Sequence, residues 1–168
     1  MRNNSLATLL TELKQERQRR RRLLPMQPPA TAAQLRSLAE RGQQLPYVFP
    51  TTYLEVLGEV NGIDSNGITL YGTEPQPLVS QPDRPGNLLE GVIEANLLWR
   101  EDAANAQHLF FAGSGERLYG QNVATQRYES IDRLTKELTY APASFGTCAE
   151  LLELLFNHML GRYPGSEE

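Results

Sequence analysis

Cysteine, histidine and long apolar runs are all scarce in this sequence of 168 residues. The single cysteine, Cys148, excludes a disulfide within one chain and is typical of a protein from a reducing compartment. No run of about 18 apolar residues occurs, so we predict that no segment spans a membrane. The first leucines precede the arginines and are interrupted by Glu12, which is not the order of a secretory signal, and we expect a cytoplasmic protein. His108 and His158 lack cysteine or acidic partners at ligand spacing, so we predict no metal and no cofactor.

Charge is divided unevenly along the chain. Up to Arg41 there are nine Lys/Arg and three Asp/Glu, a net +6, and from Gly42 onward there are seven and seventeen, a net -10. The acidic body argues against nucleic acid as a ligand, because phosphate contacts require a basic face. It favours a basic protein partner, or merely solubility. The run Arg17 to Arg22 is either a patch for nucleic acid or anionic lipid or a solvated helix end, and we favour the helix end because no aromatic residue is interleaved for base stacking.

The length fits one domain, and the pattern divides it into three parts. Residues 1–30 are interpreted as a basic helix over 5–22 and a proline-rich connector, with the helix packing as an appendage. Residues 31–163 form the main α+β domain, and residues 164–168 are a polar tail. The main domain begins with a helix from a Thr31 cap to Arg41, which Gly42 ends. Its predicted buried side consists of Ala32, Leu35, Leu38 and Ala39.

The rest of the domain is organised around the stretch 45–72, which indicates a short helix, a tight turn and a strand. The apolar side chains of that helix recur at i, i+3, i+4 and i+7, namely Tyr53, Val56, Leu57 and Val60. Asn61-Gly62 and Asn66-Gly67 suit the left-handed backbone that ends a helix or forms a turn. We expect Gly62 to adopt that conformation.

After this stretch the pattern predicts a loop, a helix and a meander. Residues 73–87, rich in proline, are interpreted as a mobile loop in preference to a binding loop. A helix over 88–102 would bury Leu89, Val92, Ile93, Asn96 and Leu97. Strands over 107–112, 116–121 and 127–131 with short turns indicate an antiparallel meander, and a last helix over 147–160 has an apolar stripe wide enough to be buried on more than one side. The predicted fold class is α+β, with a central twisted, mostly antiparallel sheet and helices packed around it.

Catalytic motifs are not found. Ser114 lies in Gly-Ser-Gly, which is a hairpin turn and not a nucleophile elbow. Cys148 and His158 are ten residues apart on one helix, about 15 Å by the rise per residue, and cannot act as nucleophile and base together. We therefore predict no catalytic residue and place Cys148 in the core.

Acidic side chains on the outward faces of the predicted helices are the candidate protein-binding surface. Each is also consistent with the solvated side of an ordinary helix. The candidate residues are Glu55, Glu59, Asp64, Glu90, Glu94, Glu101 and Asp102.

A family resemblance joins the central stretch to the C-terminal third. The features that carry it are Leu45-Pro46 before a helix, the helix ending in Asn61-Gly62, a strand over 67–72, a meander with Gly115 and Tyr119, and Ala143-Ser144-Phe145 leading into the last helix. In this order they resemble the SUKH superfamily, the SMI/KNR type of domain, over residues 31–160. The arginine-rich leader is outside the resemblance.

This resemblance implies a domain that works by binding and carries no catalytic residues. Bacterial members cap a cognate toxin or effector in the cytoplasm, so it implies an immunity protein, and a basic nuclease toxin would suit the acidic body. The alternative is a housekeeping scaffold or regulatory protein-interaction module of the same type. A third hypothesis, a hydrolase using Ser114 or His108, has no motif behind it.

Overall fold

A computed structural model describes residues 4–19, 25–45, 48–138 and 143–163. Five helices occur in these ranges: α1 (Asn4–Arg19), α2 (Ala32–Arg41), α3 (Thr51–Leu57), α4 (Val92–Trp99) and α5 (Cys148–Met159). Eight strands accompany them: β1 (Ile63–Ser65), β2 (Ile68–Leu70), β3 (Gln76–Pro77), β4 (Leu88–Leu89), β5 (His108–Gly113), β6 (Arg117–Asn122), β7 (Arg127–Asp132) and β8 (Ser144–Phe145).

Six of the strands form one sheet in the order β1-β2-β5-β6-β7-β8, and every neighbouring pair in it is antiparallel. β3 and β4 form a separate pair. The predicted α+β fold with a mostly antiparallel sheet and surrounding helices is confirmed. The predicted meander corresponds to β5, β6 and β7, with a bulge in β5 between Phe110 and Ala112.

The helix, turn and strand predicted in the central stretch are present, but α3 ends at Leu57 with Gly58 as its C-cap and not at the predicted Asn61-Gly62. All four apolar side chains of its stripe are fully buried: Tyr53, Val56, Leu57 and Val60. Gly62 has φ 93°. Asn66 and Gly67 have φ 54° and 77°, the pair of left-handed residues that a two-residue hairpin turn requires. The turn joins β2 to β1, a three-residue strand that the sequence pattern does not indicate.

The first helix shares the core of the main domain. Leu6, Leu10 and Leu13 are at most 2% exposed and belong to the same cluster of buried side chains as α5. The expectation of an appendage is therefore wrong, because these leucines cover the side of α5 that the sheet leaves open. This also confirms that the wide apolar stripe of α5 is buried on more than one side. The end of the predicted helix, at 20–22, is outside the described residues.

The second helix has the predicted ends but a narrower buried side. Thr31 and Gln34 form a reciprocal capping box. Leu38 is fully buried and Leu35 is half-buried, but Ala32 and Ala39 are exposed, so their predicted burial is wrong. The chain continues past the helix as a 3-10 turn over Gly42–Gln44, in which Gly42 keeps a right-handed φ of -62°.

The segment predicted as a mobile loop contains β3 and a series of turns. Backbone hydrogen bonds within the segment run from Gln81 N to Leu78 O, from Arg84 N to Gln81 O and from Asn87 N to Arg84 O. The Gln27 amide, from the proline-rich connector, donates to Gln76 Oε1 at 3.0 Å and to Pro77 O at 3.2 Å, and it accepts from Val79 N at 2.8 Å. The loop is thus bound to the connector along one side.

Candidate protein-binding surface

The seven candidate acidic residues lie in two groups. The first follows α3 into β1, with Glu55 in the helix, Glu59 just beyond it and Asp64 in the strand. The second surrounds α4: Glu90 precedes it, Glu94 is in its first turn, and Glu101 and Asp102 follow its last residue.

Two carboxylates of the second group are paired with basic side chains. Glu94 Oε1 lies 3.2 Å from Arg41 Nη1, and Asp102 Oδ2 lies 3.8 Å from Lys136 Nζ. Glu90 and Glu101 are exposed and form no ion pair within the described residues. The charge that a partner would meet at α4 therefore comes mainly from Glu90 and Glu101.

A buried asparagine fixes the orientation of α4. Asn96 is fully buried, and its Nδ2 donates to Val92 O at 2.7 Å and to Phe110 O at 2.8 Å, while its Oδ1 accepts from Phe110 N at 2.8 Å. The bond to Val92 O lies within α4, and the two bonds to Phe110 hold one face of the helix against β5. Rotating the helix would break these two buried hydrogen bonds. The opposite face turns outward and carries Glu94, which is half-buried and paired with Arg41.

That outward face also carries two exposed apolar side chains, one of which is predicted from the sequence to be buried. Leu97 and Leu98 follow Glu94 at i+3 and i+4 and so share its face of the helix. Leu97 is 43% exposed, so its predicted burial is wrong. The helix also begins at Val92, not Leu88, because Leu88–Leu89 pair with Gln76–Pro77 as strand β4. The i+3, i+4 spacing from Glu94 is the signal that would have placed both leucines outward.

The residues considered for catalysis have structural partners. Ser114 Oγ accepts from Glu116 N at 3.2 Å and from Arg117 N at 3.1 Å, which confirms its place in a turn. His108 Nε2 lies 3.3 Å from Glu129 Oε1, and its ring stacks on Phe110 with centroids 5.3 Å apart.

Cys148 is buried as predicted. Burial raises the pKa of its thiol to about 12, so it is protonated at neutral pH and is not a nucleophilic thiolate.

An apolar cleft of about 340 Å³ lies beside α2 and α3. Its walls include Leu35, Leu45, Phe49, Leu54 and the exposed Val48, and Gln43 supplies an amide. Small-molecule sites of this size generally add several placed polar groups that fix the orientation of a ligand. The cleft therefore does not define a ligand.

The described parts of the chain contain no group of three or more His, Cys, Asp or Glu that could hold a metal ion. No helix in these parts is both long and apolar enough to cross a membrane.

Comparison with known proteins gives no match: neither a protein-family model nor a curated protein corresponds to this chain. Membership of the SUKH superfamily is therefore a prediction from the sequence features described above.

Proposed function

We propose that this chain is a non-catalytic protein-binding domain that neutralises a cognate bacterial toxin or effector in the cytoplasm. One observation carries the proposal: Asn96 fastens α4 to β5, and the outward side of the helix carries the exposed Leu97 and Leu98 between the exposed Glu90 and Glu101 that flank it. Protein interfaces combine an apolar centre with a polar rim, and this face has both. The resemblance to the SUKH superfamily independently implies a protein that binds a partner and carries no catalytic residues.

The charge of the body supports a basic partner. From Gly42 onward the chain carries a net -10, and Glu90 and Glu101 present charge that no basic side chain of the described residues neutralises. Opposite charge on the partner would speed encounter and disfavour acidic competitors. A basic nuclease domain has the required surface, because it must itself bind phosphates.

Co-expression with the protein encoded by the adjacent gene tests this function. We expect that protein to arrest growth when it is produced alone, and we expect this chain to restore growth and to co-elute with it as a stoichiometric complex on gel filtration. Growth arrest that persists, or two proteins that elute separately, would refute toxin neutralisation. A partner that forms a complex but has no toxicity would instead favour the scaffold or regulatory module.

A further inference from the structure

Exposed large apolar side chains are concentrated on two neighbouring elements. Seven such side chains are exposed within the described residues, and four of them lie on α4 or in the segment after β7. These four are Leu97, Leu98, Leu134 and Leu138, exposed by 43%, 60%, 91% and 54%. Single exposed leucines are ordinary, but clustering of this kind marks interaction surfaces.

The turn after β7 holds Leu134 in a fixed position. Asp132 Oδ1 accepts from Leu134 N at 2.8 Å and from Thr135 N at 2.9 Å. These two bonds lower the pKa of the Asp132 carboxyl, and the bond from Thr135 N has the larger effect. The Asp132 carboxyl is therefore charged while it holds the turn. Asp132 and the left-handed Lys136, at φ 63°, supply the turn geometry, and the leucine side chain is not required for it.

Two contacts attach this turn to the C-terminal end of α4. The guanidinium of Arg133 lies over the Trp99 ring, 4.6 Å from its centroid, and Arg133 Nη1 donates to Ser114 O at 2.9 Å. Lys136 Nζ lies 3.8 Å from Asp102 Oδ2. Leu98 is next to Trp99 in the chain, and Leu134 is next to Arg133. The two exposed leucines are therefore presented by elements that pack against each other.

From these contacts we infer that Leu98 and Leu134 are the apolar centre of the partner contact, and that the partner presents an apolar spot ringed by Lys and Arg. This inference rests on the proposed function. Because the asparagine clamp and the Asp132 turn already order both elements, binding requires little further ordering of the backbone. Side chains so exposed add nothing to the core, and a partner that covers them would gain their burial.

The local charge selects a basic partner over a second copy of this chain. Residues 90–102 and 132–138 contain six acidic residues and three basic ones, and Arg41 pairs with Glu94 from outside these ranges, so the patch keeps a net charge of -2. A symmetric dimer through this surface would place the same acidic patch on both sides of the contact. Like charges facing each other oppose association, whereas a basic rim on another protein would complement them.

The double variant Leu98→Gln/Leu134→Gln tests the inference. Its binding to the protein encoded by the adjacent gene would be measured by biolayer interferometry beside the wild type. We expect at least a tenfold loss of affinity, mainly as faster dissociation, with an unchanged melting temperature because both side chains are exposed. The matched control is Val48→Gln/Leu88→Gln, whose side chains are similarly exposed at 88% and 52% but lie on other elements, and we expect it to bind like the wild type.

Three results would overturn the inference and are distinguishable. Wild-type affinity in Leu98→Gln/Leu134→Gln would place the contact elsewhere and leave the proposed function standing. No complex with the wild-type chain would remove the proposed function and this inference together. A concentration-dependent dimer of the chain alone that the double variant abolishes, seen by sedimentation equilibrium, would make a second copy the occupant.

Discussion

His158 shows how one residue can make the fold sensitive to pH. Its side chain is fully buried at the C-terminal end of α5, its Nδ1 lies 2.8 Å from the Tyr119 hydroxyl oxygen, and the Tyr163 ring stacks on it with the ring centroids 4.6 Å apart. Burial, followed by the positive charge of Arg117, lowers the pKa of His158 to about 4. The imidazole is therefore neutral in the folded protein at neutral pH.

We expect folding stability to decrease as the pH falls from about 6.5 to about 4. The unfolded chain binds a proton at His158 near pH 6.5. The folded chain does so only near pH 4, so the unfolded state binds more protons in between and gains population. The stabilisation is complete above pH 6.5, and its loss amounts to about 3 kcal/mol at most by pH 4. Urea unfolding at pH 7.5, 5.5 and 4.5 measures it.

One substitution separates this effect from general acid destabilisation. His158→Gln removes the titrating group, so its stability should vary less with pH than that of the wild type over this range. If His158→Gln and the wild type lost stability in parallel, carboxylates and not His158 would be responsible.

At the scale of elements, two glycines shape the passage from α3 into the sheet, and their surroundings differ. Both Gly62 and Gly67 have left-handed φ, 93° and 77°. A Cβ on Gly62 would lie 2.5 Å from Leu89 Cδ2 and 3.0 Å from Leu70 O, whereas a Cβ on Gly67 would meet nothing within 4 Å. The pair therefore separates the cost of backbone conformation from the cost of crowding.

We predict that Gly62→Ala destabilises the protein more than Gly67→Ala does. Each substitution places an L side chain in the left-handed region, at a cost of roughly 1–2 kcal/mol. Gly62→Ala adds crowding against β2 and β4, about 1–3 kcal/mol more. Chemical denaturation of both variants gives the difference directly. Equal losses would show that the Leu89 side chain moves aside without cost.

The sequence predicts the long elements well and the short ones poorly. The stripes of α3 and α5 are readable because several buried side chains repeat at helical spacing, and the Asn-Gly pairs mark their own turns. β1, β3 and β4 have two or three residues each, too few for any periodicity, and their partners are decided by tertiary packing. The prediction that α1 packs as an appendage is wrong for a related reason. Its leucine stripe predicts a buried face but not which element covers it.

At the scale of the whole molecule, the candidate surface could be predicted only in part. Helical spacing predicts Glu94 on an outward face of α4, but its side chain is half-buried and paired with Arg41. Helical spacing could not indicate that the turn after β7 lies against the same helix. That contact arises because the meander brings the chain back to α4, where Arg133 packs over Trp99. Turns usually carry Gly, Asn, Asp, Pro or Ser, so a leucine within a turn, here Leu134, is the local sequence feature that points to this surface.

Charge and apolar contact should affect different steps of complex formation. We expect Glu90→Lys/Glu101→Lys to slow association with the partner by roughly tenfold at low salt, because long-range attraction guides the encounter. This deficit should shrink as salt shortens the screening length from about 10 Å at 0.1 M. The leucine variant should instead accelerate dissociation at every salt concentration. Kinetics recorded between 50 mM and 500 mM NaCl would separate the two.

Glu59→Lys/Asp83→Lys is the comparison for this last experiment. It alters the net charge by the same amount, and both side chains are exposed, but neither belongs to α4 or to the turn after β7. If electrostatic attraction came from the whole acidic body, the two charge variants would slow association equally. If it is focused at α4, as we propose, Glu59→Lys/Asp83→Lys should stay within about twofold of the wild type. A larger effect from Glu59→Lys/Asp83→Lys than from Glu90→Lys/Glu101→Lys would move the contact to the first acidic group, on the side of α3 and β1.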